Sequence, residues 1–122
     1  MTAPGYLFDE NTAHRAIRRL LHGRDASILC SVIGEWEAPP IGSPDPDLLA
    51  WAEENQCILV THNHATMPVH LREHLAAGRH VPGILVVKIR YPSWKLAEDL
   101  HLIWGASFPD EFRDQIVFWP RR

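Results

Sequence analysis

CILVT, residues 57–61, is apolar at every position but its last, and GILVVKI, residues 83–89, is almost wholly apolar. A strand with one wet face alternates apolar and polar side chains, whereas a strand covered on both faces does not. The two runs therefore predict a mostly parallel sheet with helices on both sides. The neighbouring segments agree. Tyr6 to Phe8 reads as a first strand, Ile28 to Val32 as a second and Ile116 to Trp119 as a last. Ala13, Ala16, Ile17, Leu20 and Leu21 fall on one helix face, with Gly23 placed as a stop. Asp45 and Pro46 open a second helix carrying Leu48, Leu49, Trp51 and Ala52. Thr66 and Pro68 open a third that runs to about Ala77, and Ser93 caps a fourth carrying Leu96, Ala97, Leu100 and Trp104. A helical turn is expected over Pro109 to Arg113, and the proline-rich segment 34–46 reads as irregular.

The 122 residues fit one domain, 1–122, with no repeat, linker or low-complexity run. Cys30 and Cys57 each sit in an apolar run and read as buried thiols in a reducing compartment. No signal peptide is read at the amino terminus, and no apolar run approaches the ~20 residues of a membrane span. A cytoplasmic protein without membrane contact is the expectation. The net charge of -3 argues against a dedicated high-affinity DNA binder. It leaves room for an enzyme that handles nucleic acid through a metal. Arg15, Arg18 and Arg19 read as a solvated helix face, and Arg121 and Arg122 as a tail.

In parallel sheets, ligands and chemistry gather beyond the carboxyl ends of the strands. The first strand is followed by Asp9, Glu10 and Asn11, and the second by Glu35 and Glu37, then Asp45 and Asp47 at a helix mouth. The third ends in Thr61, followed by His62, Asn63 and His64. Oxygen donors from separate segments held on one rim suit a hard cation, Mg²⁺ or Mn²⁺. Plainer roles exist for most of them. Asp45 suits a helix N-cap, Asp47 a helix dipole, Glu10 simple solvation, and Asn11 or Thr12 a cap of the first helix. Asp9 is the hardest to explain this way, because it stands too early to cap.

LFDEN (7–11), GSPDPDLLAWA (42–52), ILVTHN (58–63) and VPGILVVK (81–88) occur in that order. Together they resemble the PIN-like domains of small bacterial proteins, allied to the toxin nucleases of toxin–antitoxin pairs. The likeness covers roughly residues 5–90. It implies a three-layer α/β/α fold and Mg²⁺- or Mn²⁺-dependent hydrolysis of RNA. It also implies Asp9 and Asp45 as core metal ligands, with Glu10 nearby. Asn63 and Asp47 complete the expected ligand set, and Asp9, Asp45, Glu10 and Asn63 the catalytic one. His62, His64, Thr61 and Asn11 are expected to face the substrate. RNA, a cognate antitoxin protein and further copies of the chain are the expected partners. One departure stands out: the family pattern has aspartate where this chain has Asn63, which brings no charge. A fourth acid is also missing after the fourth strand, where Lys88 and Arg90 stand, so that Glu35 or Glu37 would have to substitute. The alternative is a degenerate PIN-like module that binds RNA or a protein without cleaving.

His70 and His74, at i and i+4, share a helix face. A solvent-exposed polar face is the expectation, with a Zn²⁺ or Ni²⁺ pair as the alternative. Trp51 and Trp104 read as core. Trp36 is expected to pack over the sheet edge rather than stack on a base, and Trp94 and Trp119 to join a subunit interface.

Overall fold

The computed structural model describes residues 4–63, 65–106 and 109–121. The elements are β1 (Gly5–Phe8), α1 (His14–Arg24), β2 (Cys30–Val32), α2 (Asp45–Asn55), β3 (Cys57–Thr61), α3 (Met67–Ala76), β4 (Ile84–Val87), α4 (Ser93–Ala106), α5 (Pro109–Phe112) and β5 (Ile116–Trp119). The strands form one five-stranded sheet in the order β2-β1-β3-β4-β5, and every neighbouring pair is parallel. The expected parallel α/β sheet with helices on both sides is thus what forms.

The reason lies in the alternating directions of side chains along each strand. Tyr6, Phe8, Ile58, Val60, Leu85, Val87 and Val117 point to one face, where α1 adds Ile17 and Leu21 and α4 adds Leu96, Ala97 and Leu100. Leu7, Leu59, Ile84 and Val86 point to the other, where α2 adds Leu48 and Leu49 and α3 adds Met67 and Leu71. CILVT lacks polar alternation because both of its faces meet helices, making three layers, α/β/α.

Several boundaries differ from expectation, among them that of the fourth strand, which covers Ile84–Val87 and leaves Ile89 exposed. β2 begins at Cys30, because Asp25 folds 25–28 into a turn, accepting from the Ser27 backbone N–H at 2.9 Å. α1 runs through Gly23 to Arg24 and ends at the extended residue Asp25. Neither Asp45 nor Thr66 caps its helix with its side chain: Pro44 holds the N-cap position of α2, and both side chains turn elsewhere. Trp51 and Trp104 are half-buried against the two cores, as expected.

One connection is unusual. β1 to β2 runs one way along the sheet with α1 on the first face. The next three connections run the other way. α2 and α3 accordingly lie on the second face, but α4 returns to the first beside α1. The α4 crossover therefore has the opposite hand to the other three, an arrangement found in about 2% of such units. Two ties hold it there. The Tyr6 hydroxyl donates to the Leu100 carbonyl at 2.7 Å, and buried Asp99 accepts from the Tyr91 hydroxyl and from Trp119 Nε1. Among the described residues, no helix is long and apolar enough to cross a membrane.

Candidate functional site at the carboxyl rim

The strand order decides where to look. From β1 the chain leaves toward β2 on one face, and from β3 it leaves toward β4 on the other, so the two connections part between β1 and β3. A crevice opens at such a switch point, outside the carboxyl ends of the strands. Asp9 stands at the end of β1, and its backbone N–H donates to the Val60 carbonyl at 3.0 Å. That bond brings Asp9 level with the end of β3.

From Asp9 a hydrogen-bonded chain runs across the rim. Thr61 Oγ1 donates to Asp9 Oδ2 at 2.9 Å and accepts from the Asn63 backbone N–H at 3.1 Å. Asn63 Nδ2 donates to Thr66 Oγ1 at 3.3 Å, and Thr66 Oγ1 in turn donates to Asp45 Oδ2 at 2.7 Å. His70 Nδ1 reaches the same Asp45 oxygen at 2.9 Å. Each hydroxyl has one proton, so the direction of every bond is fixed. Asn63 is the donor at the centre, giving its backbone N–H toward Asp9 and its amide N–H toward Asp45. An aspartate at that position could not supply the second bond. The Asn63 amide oxygen accepts from the Ala65 N–H at 3.2 Å.

Asp9 is oriented from both sides, since Asn11 gives its backbone N–H to Oδ1 at 3.1 Å. Glu10 stands next to it. Desolvation first, and then the neighbouring Asp9 carboxylate, push the Glu10 carboxyl above its ordinary value. No arginine among the described residues bonds to Asp9, Glu10 or Asp45. These carboxylates are held by hydroxyls, amides and one imidazole.

The remaining expected residues take varied places. Thr61 is buried, with its hydroxyl committed between Asp9 and Asn63. Asn11 contributes its backbone only. Asp47 is exposed in the first turn of α2, where it complements the helix dipole and stays outside the chain of bonds. The His62 Nδ1–H donates to the Val87 carbonyl at 2.6 Å, which leaves Nε2 for other use. His64 lies outside the described residues. Glu35 is taken by Arg18 in a two-pronged pair, Nη1 to Oε2 at 3.0 Å and Nη2 to Oε1 at 2.5 Å. That guanidinium holds Glu35 below the ordinary glutamate range. Arg18 is thus a fixed structural cation rather than part of a solvated face. Glu37 is exposed, has φ +67° and lends its carbonyl to Trp51 Nε1 at 3.0 Å.

The histidine pair is the clearest correction. His70 and His74 do not form a solvent-exposed face; each bonds a different partner. His70 holds Asp45, while His74 is buried and its Nε2 lies 3.1 Å from both the His80 carbonyl and Glu53 Oε1. Trp36 is 90% exposed rather than packed on the sheet edge. Trp119 is half-buried on the edge strand β5, with its N–H given to Asp99, while Trp94 is exposed.

Thr66 and His70, the partners of Asp45, were not expected as such from the sequence. Their i, i+4 spacing puts them on one face at the start of α3, but nothing local says that Asp45 faces them. Among the described residues, no three His, Cys, Asp or Glu side chains gather closely enough to hold an ion. What gathers is the pair Asp9–Glu10, with Asp45 joined to it through a neutral bridge. Comparison with protein-family models, curated proteins and solved structures finds no match.

Proposed function

We propose that the chain is a metal-dependent ribonuclease of PIN-like type, the toxin half of a toxin–antitoxin pair, working at the β1–β3 crevice. The observation that carries this reading is the Asp9–Glu10 carboxylate pair. It sits at the switch point, no arginine among the described residues bonds to it, and it is tied through Thr61, Asn63 and Thr66 to Asp45. This donor set fits a hard divalent ion, because Mg²⁺ takes only one or two protein carboxylates and keeps water and phosphate for the rest of its shell. Asp9 and Glu10 would hold the ion, with Asp45 as a second acidic pole across Asn63. Bound there, Mg²⁺ or Mn²⁺ supplies an activated water and steadies charge on the phosphate. The chain's own work is orientation: Thr61 and the Asn11 N–H fix the two Asp9 oxygens, and Thr66 and His70 fix Asp45. Two unpaired thiols, Cys30 and Cys57, both pushed up to about 11 by burial, suit a reducing cytoplasm.

The test is cleavage of single-stranded RNA by the purified chain with Mn²⁺, alongside Asp9→Asn. Cleavage by wild type and none by the variant supports the reading. Intact RNA at high enzyme excess overturns it. A second reading, a module that binds RNA or a protein without cutting, is favoured by the Asn63 oxygen, which is already committed to the Ala65 N–H. Calorimetric titration separates the two, since absence of binding heat at millimolar Mn²⁺ selects the second.

A further inference from the structure

The sheet has two edges, and only one of them is closed. At β2 the register sends the Cys30 and Val32 carbonyls outward, away from β1. Arg18 Nη2 covers the first at 3.3 Å, and the Glu35 N–H covers the second at 3.0 Å. A blunted edge of this kind keeps other strands away. β5 is different. The Gln115 and Trp119 carbonyls accept from the Ile84 and Lys88 N–H groups across β4, so the odd-numbered residues face inward. Ile116 and Phe118 therefore point both N–H and C=O outward. Among the described residues, no strand pairs with them. Beside this edge lies a groove of about 460 Å³ lined by Glu111, Gln115, Ile116, Val117, Phe118 and Arg121. Phe118 is 56% exposed at its centre.

We propose that the β5 edge pairs with β5 of a second copy, antiparallel about a two-fold axis at Val117. In that register Ile116 and the partner's Phe118 exchange both backbone hydrogen bonds, and the axis repeats the exchange. Their side chains lie on one face, so each Phe118 covers the other copy's Ile116. The register centred on Phe118 fits less well. It sets Pro120 opposite Ile116 with no N–H to give, leaving the Ile116 carbonyl unpaired. Charge also favours a second copy over a nucleic acid. The groove carries one carboxylate and one guanidinium, Glu111 and Arg121, already paired at 3.3 Å. A neutral edge meets its own copy without like-charge repulsion and offers a polyanion nothing.

This inference does not depend on the ribonuclease reading. Sedimentation of the full chain over a range of concentrations, with amide exchange measured at Ile116 and Phe118, tests it. A dimer is expected, with those two amides protected in step with its population. Phe118→Lys should raise the dimer Kd by at least roughly tenfold, because an edge lysine must be buried against its own copy. A chain that stays monomeric throughout overturns the proposal. So does a dimer whose Ile116 and Phe118 amides exchange as fast as the monomer's. The exchange measurement uses wild-type protein and stands even if the variant does not fold.

Discussion

The two rims of the sheet hold their carboxylates in different ways. At the amino rim, Glu53 Oε1 receives Arg79 Nε at 2.9 Å and His74 Nε2 at 3.1 Å, and Oε2 receives the His80 N–H at 3.1 Å. Asp114 receives His80 Nδ1 at 2.7 Å and the Val81 N–H at 2.9 Å. Desolvation pushes both acids up, but these donors outweigh it and bring both below their ordinary values. At the carboxyl rim, Asp9 and Asp45 accept from hydroxyls, amides and one imidazole, and Glu10 is pushed up beside Asp9. One rim neutralises its charge internally and ties α2, α3 and the start of β4 together. The other orients Asp9 and Asp45 through hydroxyls, a backbone amide and one imidazole, and pairs an arginine with Glu35. On the proposed function, a bound cation would be the use of the second arrangement.

The largest expected difference is in activity. On the proposed function, Asp9→Asn should lower Mn²⁺-dependent RNA cleavage by more than about 100-fold, because losing a metal ligand would remove several kcal/mol of stabilisation at the phosphate. Its stability should stay within about 1 kcal/mol of wild type, measured by thermal melting. A variant that unfolds instead would make the carboxyl rim as structural as the amino rim, and the contrast would be gone.

The bridge comes next. Thr61→Val removes the hydroxyl that orients Asp9 and accepts from Asn63. Mn²⁺ affinity in calorimetry should fall roughly 10–100-fold, as for other groups that orient a ligand, and Thr61→Ser should restore most of it. Asn63→Asp sharpens the same point. It adds a carboxylate but removes the donor to Thr66, so Thr66 can no longer serve both neighbours. Tighter Mn²⁺ binding with faster cleavage would mean that charge outweighs the lost bond. Weaker binding would mean that the bridge matters more.

The amino rim should respond only in stability. Glu53→Ala strips the acceptor from Arg79, His74 and the His80 N–H. The pairs are partly exposed, which discounts them, so a loss of about 1–2 kcal/mol and roughly 4–8 °C in Tm is expected. Metal binding should be unchanged.

Much of this contrast was readable in the residues, and the unread part has a physical reason. CILVT and the first part of GILVVKI gave away the parallel sheet because both faces of each strand are buried there, while Lys88 and Ile89 lie beyond β4 and are exposed. Asp9 stood out because it follows a strand directly, before any helix it could cap. The link from Asp45 to Thr66 and His70 was not readable: it joins residues 21 and 25 positions apart, and neither helix face announces its neighbour. His70 and His74 share a face by spacing. Four residues of helix still raise the second about 6 Å along the axis, enough to place each in a different rim's network. Asn63 looked like a lost charge, and only the direction of its hydrogen bonds reveals that its N–H groups are in use. Trp36 lies in a loop, where periodicity carries no information about burial.

The smallest expected effect separates the rims by pH. Glu10 titrates higher folded than unfolded, so the folded state is penalised while the group is charged. That penalty is full at neutral pH and fades as pH falls through the raised value to the ordinary glutamate range. Glu53 and Asp114 have the opposite sign: their stabilisation is full above the ordinary carboxylate values and is lost as pH falls through the lowered ones. Glu10→Gln should therefore melt slightly higher than wild type at neutral pH, by less than about 1 kcal/mol, and the two should converge in acid. Melting curves of both proteins from neutral pH downward, without metal, measure this directly. If Glu10→Gln is no more stable at neutral pH, Glu10 does not crowd Asp9. If adding Mn²⁺ raises the Tm of wild type and leaves Glu10→Gln where it was, the crowding is what the cation relieves.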